Sequence, residues 1–248
     1  MTVLLLRLAG PMQSWGTSSR FTTRETRLEP SKSGVLGLLA AAQGRPRDSD
    51  LSDLAALRFG VRVDQPGTVM VDFQTAQDRD GGSLPLSHRY YLADAAYLAG
   101  VEGDPTLLGA LARALESPEF PLFLGRRGYP ASHPVGLGLR DTDLLEALRH
   151  EGWQAAPWHR KRLASQGRGH LVRLSVLADS SANERGESVR DVPLSFNPEH
   201  RQYSWRDVTR SWVEVTNPLA PAEATSPQAP GRDDPDWIGA IGGLDVSL

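Results

Sequence analysis

Arg126 and Arg127 stand side by side between Gly125 and Gly128. Glycines let a backbone approach a ligand closely, their amides can cradle phosphate, and two guanidinium groups supply bidentate contacts. A solvated surface loop would carry the same residues. A second anion-binding pattern is Ser31-Lys32-Ser33-Gly34 at a helix start, where orphan amides, two hydroxyls and an ammonium group meet. It lacks the GxxxxGK[ST] order of a Walker loop. An ordinary N-cap with a surface lysine reads the same way. The third pattern is Gly10-Pro11-Met12-Gln13-Ser14-Trp15, which follows an apolar run directly and leads into Arg20, Arg24 and Arg27. Bases of single-stranded nucleic acid stack on indole and guanidinium planes while phosphates meet positive charge. Trp15 reads either as that stacking surface or as a lid on the core.

The remaining inventory excludes more than it offers. His88, His133, His150, His159, His170 and His200 are scattered, without HExxH or another metal-ligand spacing. His88, beside Arg89, Tyr90 and Tyr91, is placed to be a general base for RNA cleavage or to be a packed hairpin histidine. No GxSxG or dinucleotide fingerprint is present. The absence of cysteine removes disulfides, zinc-thiolate sites and a thiol nucleophile. No cofactor and no metal are therefore expected. A net charge of −3 argues against a uniformly basic nucleic-acid binder, so an RNA site must be a local patch. Of the 27 basic residues only Lys32 and Lys161 are lysines. A GC-rich genome accounts for that bias, yet arginine is also the better residue for phosphate forks and base stacking. Trp158–Arg173 is the most basic stretch, with no acid between Glu151 and Asp179. It reads as a basic patch or as a flexible loop. Met1–Leu6 is too short for a leader or a membrane span, so a soluble cytoplasmic protein with no membrane partner is expected.

These groups need elements to hold them. Val3–Leu8 reads as a buried strand. Ser33–Gln43 is a helix with Val35, Leu38, Leu39 and Ala42 on one face and Gly44 as its C′ residue. Leu51–Leu57 reads as a short helix and Phe59–Asp64 as a half-buried strand. Thr68–Phe73 and Arg89–Leu98 read as two strands whose connection, Gln77–Ser83, is a polar hairpin tip. Pro105–Glu116 is a helix with Leu107, Leu108, Leu111 and Leu115 on its apolar face, and Val135–Leu139 is a further strand. The order approximates β-α-β-β-α-β, the ferredoxin-like plan, in an α+β chain. Beyond about residue 150, runs at His170–Leu177, Ser188–Leu194 and Gln202–Val215 indicate a smaller β-rich unit over 151–248. Its segment at about 217–236 reads as flexible, and Trp237–Leu248 as a closing strand.

Leu6-Arg7-Leu8-Ala9-Gly10-Pro11-Met12-Gln13-Ser14-Trp15-Gly16, followed by Ser31-Lys32-Ser33-Gly34-Val35-Leu36-Gly37-Leu38-Leu39, resembles the CasD family of type I-E CRISPR Cascade subunits, in the RAMP superfamily. Arg89–Ala95, Leu124-Gly125-Arg126-Arg127 with His133-Pro134, and Gly242–Val246 match in the same order. The match is weak over roughly 150–235. The resemblance implies a ferredoxin-like (RRM-like) RAMP domain over 1–150, with a projecting, here short, thumb hairpin at about 73–89 and a glycine-rich loop at 124–130. It implies a non-catalytic subunit that binds the five-prime handle of the CRISPR RNA (crRNA) and caps the backbone filament. Such a subunit contacts the Cascade backbone and large subunits and meets target DNA only through the complex. Together with local charge, which alone brings in Arg20, Arg24 and Arg27, the expected RNA-binding residues are Met12, Gln13, Trp15, Arg20, Arg24, Arg27, Lys32, Ser33, Arg126 and Arg127. The alternative is a metal-independent endoribonuclease that processes precursor crRNA, with His88, Tyr90 or Lys32 as its acid or base.

Overall fold

The computed structural model describes residues 1–16, 23–166, 170–181 and 184–220. Arg20, Arg168, most of the 217–236 segment and the expected closing strand at 237–248 lie outside the described residues. In chain order the elements are β1 (Thr2–Ala9), β2 (Met12–Gln13), β3 (Thr23–Arg24), α1 (Lys32–Ala42), α2 (Ser52–Ala55), β4 (Arg58–Gln65), β5 (Thr68–Gln74) and β6 (Ser87–Ala93). There follow β7 (Ala96–Gly103), α3 (Pro105–Glu116), β8 (Gly136–Arg140), α4 (Leu144–His150), α5 (Pro157–Ser165), β9 (Leu171–Asp179), β10 (Glu187–Ser195) and β11 (Gln202–Thr216).

Seven strands form one sheet in the order β10-β11-β9-β4-β7-β1-β8, with each neighbouring pair antiparallel. Side chains alternate across a strand, so β1 serves two cores. Leu4, Leu6 and Leu8 join Phe59, Tyr97 and Val101 beneath α1 and α3. Val3 and Leu5 join Leu98, Leu174 and Val176 beneath α4. A second, smaller sheet holds β2, β3, β5 and β6, with β6 at its centre.

The helix boundaries follow from their caps. Ser31 Oγ accepts the Gly34 amide at the start of α1. At its end, Gly44 takes φ +72, its amide donates to Ala41 O, and the Arg45 amide donates to Ala40 O, a Schellman closure. Asp104 caps α3, with Pro105 in its first turn.

Three expectations change. The strand read over 89–98 is two strands in two sheets. Asp94 breaks it at φ +56, and its amide donates to Pro11 O. No glycine or proline marks that turn in the sequence. The stretch Trp158–Arg162 lies in α5, where a loop or β structure was expected; Pro157 opens this helix, and Arg160 folds back to donate to Ala155 O. The strands beyond residue 150 do not stand apart: Gly60, Val61 and Arg62 of β4 pair with Ala178, Leu177 and Val176 of β9. Among the described residues no helix is long and apolar enough to cross a membrane.

Candidate nucleic-acid interface

The loop 124–130 is seated on the segment that follows β1. The Ser14 amide donates to Leu124 O at 3.1 Å, Leu124 donates to Tyr129 O at 2.7 Å, and Tyr129 donates to Arg126 O at 2.9 Å. These bonds close the loop on itself and dock it against residues 12–15. Arg126 extends from it over the Tyr129 ring, 5.8 Å from the centroid, and donates to Tyr129 Oη and to the carbonyl of Arg24. Arg24 and Arg126 are thereby brought onto one face. Arg127, next in the chain, is exposed, and Tyr91 of β6 packs against Tyr129. Arg27 is half-buried, its amide bonded to Trp15 O.

Trp15 is placed otherwise than a base-stacking role requires. It is only 1% exposed, with its edge against the Gly34 backbone and its indole N–H donating to Gln13 Oε1 at 3.1 Å. Gln13 is itself fully buried and donates to the carbonyls of Leu8 and Ala95. Burying an indole requires a partner for its N–H, and Gln13 supplies one. Trp15 is thus the lid on the core, and Gln13 is the bracket that holds it. Met12 is half-buried on β2, paired with Ala93.

Lys32 is likewise committed. It is 5% exposed, and its ammonium donates to Asp179 at 3.1 Å. Its amide, the first of α1, donates to Asp191 Oδ2 at 2.8 Å. Arg206 bridges Asp191 and Asp179 at 2.5 and 2.6 Å and lies over the Phe59 ring. Burial works against the charge on Arg206, but the two carboxylates outweigh it and raise its pKa. This network ties α1 to β9, β10 and β11 and removes Lys32 as a free phosphate ligand. Ser33, 8% exposed, sits beside it at the start of α1.

Two further surfaces stand open among the described residues. The hairpin of β5 and β6 presents Val69, Val71 and Phe73 to solvent, Phe73 at 66% exposure, because β5 pairs only with β6. Its tip is closed by a bridge between Gln77 and Ser83. The other is a groove of about 550 Å³ between α1, the segment 120–125 and the β10–β11 connection. Its arginines are Arg45, Arg47, Arg127 and Arg201, and Phe196 and Tyr203 also line it. Sequence reading reached only Arg127 of these. The other arginines come from two segments, the stretch after α1 and the β10–β11 connection, with no motif among them, so only the fold unites them. Among the described residues no group of histidines and carboxylates is arranged to hold a metal.

Comparison with known proteins places this geometry in context. Residues 3–209 match the family described as CRISPR-associated protein (Cas_Cas5). The chain is 37% identical over 157 residues to the CRISPR system Cascade subunit CasD of Escherichia coli (strain K12), covering 54% of this chain and 70% of that protein. A solved structure described as a CRISPR RNA-guided surveillance complex superposes with a TM-score of 0.71 at 31% identity, covering 90% of this chain and 95% of the matched chain. A crystal structure of a Cas protein superposes at 0.67 with 40% identity, covering 89% and 98%.

Proposed function

The chain belongs to the Cas5 family of CRISPR-associated proteins, and from that premise we propose that it is the CasD-type subunit of an RNA-guided Cascade surveillance complex. In this reading it binds the five-prime handle of crRNA without cutting it and caps the end of the backbone filament. It touches the backbone and large subunits and meets target DNA only through the assembly. The observation that carries the reading is the loop 124–130, which holds Arg126 against the Arg24 carbonyl and leaves the adjacent Arg127 exposed. Guanidinium groups on a glycine-bounded loop suit the phosphates of a single strand. The β5–β6 hairpin supplies the thumb. The order β1-α1-β4-β7-α3-β8, with β4-β7-β1-β8 adjacent in space, supports a ferredoxin-like RAMP core.

The non-catalytic part of the reading rests on how the reactive groups are spent. Lys32 is ion-paired with Asp179. Among the described residues, no carboxylate or imidazole is hydrogen-bonded to His88 or Tyr90 on β6. Filter binding of handle RNA, with and without Arg126→Ala plus Arg127→Ala, tests the RNA site; unchanged binding in the variant overturns it. Incubation with repeat RNA in EDTA tests the rest. Specific cleavage there would move the protein to the processing endoribonucleases.

A further inference from the structure

We propose that the groove between α1, the segment 120–125 and the β10–β11 connection receives one unstacked RNA nucleotide, with its flanking phosphates on Arg47, Arg127 and Arg201. The proposal rests on the RNA-binding reading above and adds a second contact region to it. The volume, about 550 Å³, falls in the range of pockets that hold a single small ligand. No acidic side chain lines it among the described residues. In a chain of net charge −3, four arginines converging on one concavity mark a local patch of one sign.

The arginines differ in a way that suits a base with phosphates on either side. Arg45 is fixed by a two-pronged pair with Asp53, at 2.7 and 2.5 Å, so its charge is already answered. Arg47, Arg127 and Arg201 are exposed and make no ion pair among the described residues. Each is free to neutralise a phosphate. The interior is apolar and aromatic: Phe196 rests against α1 at Gly37, where a Cβ would lie 3.4 Å from its ring, and Tyr203 is half-buried beside it. A base that leaves its stack needs such a surface to compensate its lost stacking. Ser31 and Ser33, at the start of α1, line one wall. Arg127 belongs both to the groove and to the loop that carries Arg126, so one strand can run from that face into the groove. A peptide occupant would have to bring closely spaced acids, whereas RNA carries a phosphate at every step.

The test uses the full chain, repeat-derived single-stranded handle RNA carrying 4-thiouridine at one position at a time, and the variant Arg47→Ala plus Arg201→Ala. The wild-type protein is expected to crosslink to Phe196, Tyr203 or their neighbours from one RNA position. The variant is expected to lose that crosslink and to bind with a salt slope about two units shallower, one for each lost phosphate contact. Wild-type salt slope in the variant, with crosslinks only to the loop 124–130, overturns the groove assignment and leaves the RNA-binding reading standing. No RNA binding by the wild type overturns both. Normal RNA binding by the variant, with lost assembly onto neighbouring subunits, hands the groove to a protein partner and overturns the RNA assignment.

Discussion

A Cβ added to Gly125 would lie 1.6 Å from the carbonyl oxygen of Ser14. Gly125 also takes φ +87, the left-handed region that side chains avoid. The loop that carries the arginine pair is therefore locked to the segment after β1 by a backbone contact that only glycine permits. Gly125→Ala is expected to cost about 2 kcal/mol or more, lowering the melting temperature by roughly 4–8 °C, and to weaken handle RNA binding. Gly128→Ala is the control. Nothing lies within 4 Å of its Cβ position, so stability should stay within about 0.5 kcal/mol of wild type. Equal effects of the two substitutions in thermal unfolding would refute the close approach.

Lys32 and Arg127 looked alike as candidate phosphate ligands, and the structure separates them. Lys32→Met removes one partner from the buried network with Asp179, Asp191 and Arg206. Breaking such a pair typically costs about 3 kcal/mol or more. Its urea midpoint should fall while the salt slope of RNA binding by the folded protein holds. Arg127→Ala should do the reverse: an unchanged midpoint and a slope shallower by about one unit. Opposite outcomes would exchange the two roles.

Local signals made part of this legible. Asp104, Pro105 and four leucines at helical spacing define α3 to the residue, and Gly44 marks the end of α1. The turn at Asp94 was hidden because the apolar pattern runs through it with no breaker residue. α5 was hidden because its only buried side chain is His159, so it has no apolar stripe to read. The loop arginines Arg126 and Arg127 were visible as a motif. The fate of Trp15 was not, because it depends on Gln13 turning inward and on Gly34, nineteen positions along, leaving room. Arg47 and Arg201 are invisible as a pair because a helix end and a hairpin connection meet only in the folded chain.

His159 offers a pH test of α5. Burial first, and the Arg162 guanidinium second, hold its pKa below the ordinary 6.5. Its ring lies between the edges of Trp153 and Trp158, and Arg162 reaches its Nδ1 at 3.2 Å. The neutral ring accepts there; a protonated ring would face donor with donor. The unfolded chain takes the proton more readily than the fold, so this contribution is present above pH 6.5. It is lost as pH falls through 6.5 toward the lowered native value. The drop in melting temperature between about pH 7.5 and about pH 5 should be smaller in His159→Gln than in wild type. An identical drop would show that His159 titrates as it does in water.

The exposed hairpin carries the last prediction. Phe73, Val69 and Val71 face solvent on β5, and apolar side chains gathered there mark a surface that another molecule covers. Gln74 and Ser87 are the outermost paired residues of its ladder. Replacing residues 75–86 with Asn-Gly would join them by a two-residue turn that matches the strand twist. The tip contributes nothing to either core cluster, so the melting temperature should stay within a few degrees of wild type. Assembly with crRNA and the backbone subunit should nevertheless weaken, by native gel or size-exclusion chromatography of the reconstituted complex, because the shortened thumb no longer reaches past the sheet. A stable variant that assembles and binds target DNA with wild-type affinity would take the thumb role away from this hairpin.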